Sequence, residues 1–195
     1  MARGLYVVDQ LPPIDVASRS TYTTFTSFGD IYGAPQKIIP KSRLDVGLTL
    51  DLEAFGEYST TGTPTLSIGF YFNGAASTSL TGPLTVPTTI LAQTQLAAPG
   101  GTGAAAWFWH AHWMGVLRAA AGGAAGGTWH GMGYVDIGVA LGTAGVSWPM
   151  PITQALRTVT CDVSGDRAVG VGWQYGTSSA SNTCTVTEFF AKCNS

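Results

Sequence analysis

Charged residues are scarce in this chain of 195 residues. Lys, Arg, Asp and Glu make up 10% of it and hydrophobic residues 45%, whereas typical soluble domains carry about 25% charged residues. A surface with so little charge must be built from Thr, Ser, Gly and Ala, and it gains little solubility from charge repulsion. The composition therefore favours a protein that works in an assembly, where neighbouring chains cover part of its surface.

The few charges also exclude two classes of partner. The net charge is −2 and the nine basic residues are scattered, so no basic stripe can displace counterions from a phosphate backbone, and we expect no nucleic-acid partner. The sequence has no apolar run of about 18 residues, so we expect no membrane-spanning helix and no membrane partner. The first residues, MARGLYVVDQLPP, lack the apolar stretch of a secretory signal, so we expect no export by that route.

Cysteines and catalytic motifs are equally sparse. Cys161, Cys184 and Cys193 are widely spaced and form no C-x-x-C pair, which argues against a disulfide framework or a zinc knuckle. We interpret Cys161 and Cys184 as small apolar residues of strands, with one disulfide between the sheets as the alternative. The sequence also lacks a G-x-S-x-G motif and a P-loop. We expect neither an enzymatic activity nor a cofactor.

What the sequence has in abundance is alternation between apolar and more polar side chains. It runs through residues 44–54, 66–72, 159–163 and 169–175 and is typical of antiparallel strands with one buried and one wetter face. Stretches rich in Gly, Ser, Asn and Pro separate these segments and favour turns. The spacing predicts roughly eight to ten strands. We therefore expect an all-β fold, an antiparallel two-sheet β-sandwich of jelly-roll type.

The first 40 residues follow no clean period and are interrupted by prolines. We interpret residues 1–40 as an extended N-terminal arm and residues 41–195 as the jelly-roll β-sandwich domain. Leu5 and Tyr6 belong to a short apolar patch in the arm. We expect this patch to pack on the domain or on a neighbouring chain, the alternative being a frayed terminus.

The stretch WFWHAHWMG (107–115) contains the His-x-His spacing of many metal sites. If it forms a strand, His110 and His112 share one face because side chains alternate. The opposite face, which we expect to face the core, then holds Trp107, Trp109 and Trp113. Both histidines therefore lie on the outer face of the sheet.

A third metal ligand is hard to find for this pair. The only other histidine is His130, in a segment that is expected to form a hairpin with residues 107–118. If Arg118 lies opposite Trp129, then His112 lies opposite Val135, and His130 is roughly 17 Å further along the strand.

A comparison with cupins leads to the same expectation. Cupins are metal-binding jelly-roll enzymes whose motif places a Glu shortly after the His-x-His pair. Val116 and Leu117 stand at those positions here, and no Glu lies between Glu57 and Glu188. We therefore expect no metal site, and we place His110 and His112 at a candidate interface.

Two of the six tryptophans are candidates for a role outside the core. Most tryptophans of a sandwich pack inside, but Trp129 and Trp148 flank predicted loops. We consider them as interface anchors or as platforms for a carbohydrate, because aromatic side chains are enriched at interfaces.

Two long segments resemble a known family. IIPKSRLDVGLTLDLEAFGEYSTTGTPTLSIGFYFNG (38–74) resembles the first half of small jelly-roll virion proteins encoded by tailed phages, and RTVTCDVSGDRAVGVGWQYGTSSASNTCTVTEFF (157–190) resembles their ending. The stretch from Trp109 to Arg118 is similar to a strand of that family that carries varied polar residues where His110 and His112 stand. Members of the family are described as head decoration proteins or as minor tail or fibre proteins.

The resemblance implies a structural protein of the virion. We expect a head decoration protein that binds the major capsid protein at the capsid surface and self-associates as a homotrimer, since copies joined in one assembly multiply weak contacts by avidity. Two alternatives stay open: a tail or fibre component, and a carbohydrate-binding sandwich for host attachment.

Overall fold

The computed structural model describes residues 6–7, 29–30, 36–73, 89–94, 103–121, 126–139, 144–151, 153–177, 179 and 181–194. Within these ranges the chain forms twelve strands, two short 3-10 helices (Lys41–Arg43 and Gln154–Arg157) and no α-helix. The strands are β1 (Tyr6–Val7), β2 (Gly29–Asp30), β3 (Lys37–Ile39), β4 (Thr49–Ser59), β5 (Leu66–Asn73), β6 (Ile90–Gln93), β7 (Trp107–Ala120), β8 (Gly127–Ile137), β9 (Val146–Met150), β10 (Thr158–Cys161), β11 (Arg167–Tyr175) and β12 (Thr183–Asn194).

The described strands form two antiparallel sheets. The larger sheet has the order β1–β12–β4–β7–β8, and both β9 and β10 pair with the far edge of β8. In the smaller sheet β5 lies between β6 and β11, and β2 and β3 pair with the other edge of β11. This arrangement confirms the predicted all-β, antiparallel two-sheet sandwich.

Aromatic side chains fill much of the space between the sheets. Trp109 of the larger sheet lies 5.7 Å, centroid to centroid, from Trp173 of the smaller one, and Trp129 lies 5.7 Å from Phe72. These rings belong to a single cluster of buried apolar residues to which both sheets contribute. Large aromatic side chains contribute much of the buried area in such a core, so the tryptophan-rich face of β7 is part of the hydrophobic core.

The chain crosses from one sheet to the other between β4 and β5 and again between β11 and β12. Because β4 pairs with β12 and β5 pairs with β11, the two crossings lie side by side. A jelly roll extends such pairing through two Greek keys, whereas β7 and β8 are neighbours in the larger sheet. The jelly-roll type therefore stays a prediction.

The described parts of the predicted arm are edge strands of the sandwich. β1 pairs with β12, while β2 and β3 pair with β11. Ile39 is fully buried in the core, so the sheets already include residues before position 41. Leu5 lies outside the described residues, and Tyr6 is described only as a member of the β1 pairing.

The alternating pattern predicts the faces of the larger sheet better than those of the smaller one. β4 alternates as expected, although Val46 is exposed in the turn before it. The expected wetter face is wrong for β5 and β11, where both faces are buried. Polar groups there are satisfied inside the protein. The Ser67 hydroxyl donates to the Thr94 carbonyl over 2.8 Å, and the Tyr71 hydroxyl accepts from Gln36 Nε2 over 2.7 Å.

Candidate functional site

Among the described residues, the outer face of the larger sheet is the surface that brings together histidines, carboxylates and exposed apolar side chains. It consists of the side chains of β4, β7, β8 and β12 that point away from the core. On β7 the predicted parity is confirmed, because His110 and His112 lie outside while the core face is formed by Trp109, Ala111, Trp113, Gly115 and Leu117. The two histidines therefore share a rigid surface with the neighbouring strands.

The pairing of β7 with β8 differs by one residue from the predicted register. Leu117, rather than Arg118, lies opposite Trp129, and the register shifts between Leu117 and Ala119. Arg118 is the extra residue of this irregularity, and such bulges are invisible to a count along the sequence. As a result His112 lies opposite Tyr134 instead of Val135.

His110 is held by carboxylates from both neighbouring strands. Its Nε2 lies 2.9 Å from Glu53 Oε1, and its Nδ1 lies 3.9 Å from Asp136 Oδ2. Asp136 is directly opposite His110 on β8, whereas Glu53 is opposite His112 and reaches His110 diagonally. Diagonal neighbours on an antiparallel pair are within reach of long side chains. These two carboxylates fix the imidazole in the middle of the face.

His112, two residues further along β7, forms the same kind of contact. Its Nε2 lies 2.8 Å from Asp51 Oδ1, and Asp51 belongs to β4. The ring of Tyr134 packs beside both imidazoles, with centroid distances of 6.0 Å to His110 and 5.6 Å to His112. The histidines are thus tied to three strands of one sheet.

An open apolar groove continues from His112 along β7 and β8. Met114 and Met132 lie directly opposite each other at its centre, and they are 53% and 52% exposed. The groove has a volume of about 540 Å3, and it is lined by Thr49, His112, Met114, Gly115, Val116, His130, Met132, Gly133 and Tyr134. Phe108 and Tyr134, 51% and 40% exposed, extend the apolar surface toward the other end of the strands.

The groove rests on a tightly packed layer beneath it. The indole of Trp113 lies over Gly115 and Gly131 on the core side, where a Cβ atom at either glycine would overlap with the ring. Glycine at these two positions therefore makes room for the tryptophan. The strands that line the groove are therefore closely packed on their core side.

Carboxylates outnumber basic groups on the outer face. With histidine counted as neutral, two positively charged residues, Arg118 and Lys192, share the face with five acidic residues, namely Asp51, Glu53, Glu57, Asp136 and Glu188. The whole chain has eleven acidic and nine basic residues, so the negative excess of this face is larger than that of the protein. The face therefore has an apolar groove at Met114 and Met132, and beside it a group of carboxylates around His110 and His112.

The carboxylate contacts of the histidines were not predicted from the sequence. The parity of β4 indicates that Asp51 and Glu53 point outward, but only the pairing of β4 with β7 brings them to the histidines. Within the described ranges, no group of three or more His, Cys, Asp and Glu side chains has a geometry that could hold a metal ion. His130 lies opposite Val116 and also lines the groove, and its Nδ1 contacts Thr158 Oγ1 at 3.0 Å.

The other candidate interface residues lie elsewhere. Trp129 is fully buried between the sheets, so its side chain has no exposed surface to offer a partner. Trp148, on β9, is half-buried and packs against the core. Of the predicted set, the structure brings only His110 and His112 together on one open face.

The three cysteines are free and buried, which agrees with the interpretation of Cys161 and Cys184 as apolar strand residues. Burial raises the pKa of Cys161 and Cys193 to about 11, and it raises the pKa of Cys184 as well. Because the thiolate is the nucleophilic form, these side chains are packing residues at neutral pH.

Comparisons with known proteins add no relative. No protein-family model, no curated protein and no solved structure matches the chain. In the part of the chain that the structure describes, no helix has the length and apolar character needed to span a membrane.

Proposed function

We propose that this chain is a structural protein of a tailed-phage virion, and specifically a head decoration protein that binds and stabilises the lattice of the major capsid protein. The proposal is supported by the resemblance of residues 38–74 and 157–190 to small jelly-roll virion proteins. It is also supported by the two-sheet sandwich and by a composition that is only 10% charged.

The observation that carries the proposal is the outer face of the larger sheet. Its half-exposed apolar side chains Met114, Met132 and Tyr134 are neighbours on the antiparallel sheet, and Phe108 lies further along β7, beyond His110. Contiguous apolar surface of this kind marks sites of protein interaction. Burying it against a partner contributes about 25 cal/mol for each Å2 of apolar area removed from water.

The mechanism would be cementing of the capsid lattice. Each copy buries apolar surface against the major capsid protein, and a homotrimer holds several such contacts in one unit. Linked contacts act at a high effective concentration, so weak individual contacts yield tight binding. No covalent chemistry is required of any residue on the face.

The test uses the purified recombinant protein and empty heads of the phage that encodes it. We expect multi-angle light scattering to give the mass of a trimer and cosedimentation to show saturable binding to heads. An inert sandwich protein of similar size serves as the control for trapping in the pellet. A monomer that stays in the supernatant would contradict the proposal.

A carbohydrate-binding role is the second candidate, and one feature favours it. Tyr134 is exposed two residues before Asp136 on the same face of β8, an aromatic platform beside a carboxylate. The buried position of Trp129 removes one of the two tryptophans considered for this role. Binding on a glycan array that is lost in Tyr134→Ala would support it, and silence across the array would remove it.

A further inference from the structure

The exposed apolar side chains on the outer face are concentrated along two adjacent strands. Met114 and Met132 form a cross-strand pair, and Tyr134 is the next outward residue on β8. Methionine side chains are flexible and polarizable, and they adapt to the shape of a bound partner. The backbone of Gly115 and Gly133 forms part of the lining beside them.

The charges around this groove determine what kind of partner fits. The outer face has five carboxylates and two Lys or Arg side chains, together with the histidines that contact three of the carboxylates. Two copies that met through this face would bring like charges together, and like charges opposed across an interface disfavour association. A partner with basic side chains would complement the face instead.

Three of the carboxylates are placed to receive such side chains. Glu53 and Asp136 flank His110, and their side chains are 41% and 38% exposed. His110 contacts Oε1 of Glu53, and a carboxylate has two oxygens that accept hydrogen bonds. Asp51 lies opposite Met114 on β4, and its carboxylate contacts His112. The nearby Tyr134 ring offers a surface on which a guanidinium group can stack.

We propose that the outer face of the larger sheet docks a cationic segment of another protein, with one apolar side chain in the Met114–Met132 groove and Lys or Arg side chains on Glu53 and Asp136. In the assembly this segment belongs to the capsid lattice, so that identification rests on the proposed function. The chemistry of the docking surface itself rests only on the described residues.

The experiment measures binding to empty heads for two variants of the face. Met114→Ser with Met132→Ser removes the apolar contact, and we expect roughly tenfold weaker binding, the loss that follows from one well-packed anchor. Glu53→Gln with Asp136→Asn removes the charge contact. Here we expect weaker binding at low salt and a smaller loss on adding salt, because ions screen exposed charges.

Matched controls lie away from the face. Leu156, in the 3-10 helix before β10, is 52% exposed, and Leu156→Ser is the control for loss of an exposed apolar side chain. Asp45, in the loop before β4, is exposed, and Asp45→Asn is the control for loss of a carboxylate. We expect both to bind heads like the wild type. Circular dichroism and thermal melting of all variants identify any loss of fold.

A second experiment, with short peptides, tests this inference separately from the proposed function. Methyl NMR signals of Met114 and Met132 are followed while an Arg-Leu-Arg peptide or a Glu-Leu-Glu peptide is added. We expect the cationic peptide to shift both signals and the acidic peptide to leave them in place.

The outcomes divide clearly. Wild-type binding to heads that neither face variant weakens would overturn this inference and leave the proposed function standing. Absence of head binding together with a peptide response would overturn the proposed function and support the docking chemistry, whereas no peptide response would overturn that chemistry. If the methionine variant dissociates the protein's own oligomer, the occupant is a second copy and the proposal of a cationic partner is wrong.

Discussion

At the scale of single residues, the outer face shows what parity can and cannot establish. The alternation of β4 and β7 is enough to place Asp51, Glu53, His110 and His112 outward. Which carboxylate meets which histidine depends on the register between the strands and on diagonal reach. Glu53 lies opposite His112 but contacts His110. That choice arises from side-chain rotamers and from Asp136 on the third strand, and neither is encoded in a single segment.

The packing of Trp113 gives a prediction at the same scale. Gly131→Ala would place a Cβ atom against the Trp113 indole and 2.6 Å from the Met114 carbonyl oxygen. Neither the buried ring nor the strand backbone can move away easily, so we expect the free energy of unfolding to fall by roughly 1–3 kcal/mol. Urea denaturation followed by tryptophan fluorescence measures the change.

The control for this substitution is Gly165→Ala. An added Cβ there would meet only the end of the Arg167 side chain, at 3.4 Å, so we expect a change within about 0.5 kcal/mol. Equal urea midpoints for Gly131→Ala and Gly165→Ala would show that the layer under the groove is looser than the structure indicates.

At the scale of strands, local pattern predicts the elements and long-range contacts decide their surroundings. The tryptophan face of β7 is confirmed as core because alternation there is strict. β5 and β11 alternate as well, yet both faces are buried. The second face of these strands is buried by other parts of the chain, and the sequence of the strands themselves does not indicate which parts pack there. The error in the β7–β8 register likewise arises from one extra residue, Arg118.

The turn between β10 and β11 leads from the larger sheet to the smaller one and is held by one carboxylate. Asp162 Oδ1 accepts a hydrogen bond from the Ser164 backbone N–H over 2.7 Å and lies 2.5 Å from Arg167 Nη2. These contacts, with those from Ser164 the largest, lower the pKa of Asp162 from 3.8 to about 2. The guanidinium of Arg167 is largely buried, so the turn depends on this charge.

The lowered pKa of Asp162 determines the sign of a pH effect. Because the folded state holds the proton more weakly than the unfolded state does, the carboxylate stabilises the fold above about pH 4, and this stabilisation is lost as the pH falls toward about 2. We expect Asp162→Asn to lower the urea midpoint at neutral pH, with the gap to wild type closing near pH 2. Asp45→Asn is the control, and a gap that stays constant between these pH values would contradict the assignment.

At the scale of the whole molecule, the fold class follows from the sequence because the alternating segments after residue 40 agree on it. Alternation, turn residues at regular spacing and the scarcity of helix signals all favour a sandwich. The order of the strands in each sheet cannot be predicted in this way, because it depends on which strand edges pair with each other. Adjacent placement of β4 with β12 and of β5 with β11 joins parts of the chain far apart in sequence.

The proposed place of the protein in a phage head has a direct test, which is its number of copies in each virion. A head decoration protein repeats with the symmetry of the capsid lattice, so purified virions should contain on the order of hundreds of copies, whereas a tail or fibre component should contribute no more than tens. Quantitative mass spectrometry of purified particles, calibrated against the major capsid protein, measures the ratio. We expect the higher number, because the apolar groove and the carboxylates of the outer face suit a contact that is repeated across a lattice. A ratio in the range of a tail protein would contradict the proposed head location. If the outer face variants still reduced incorporation into virions, the outer face would instead be the docking surface of a tail component.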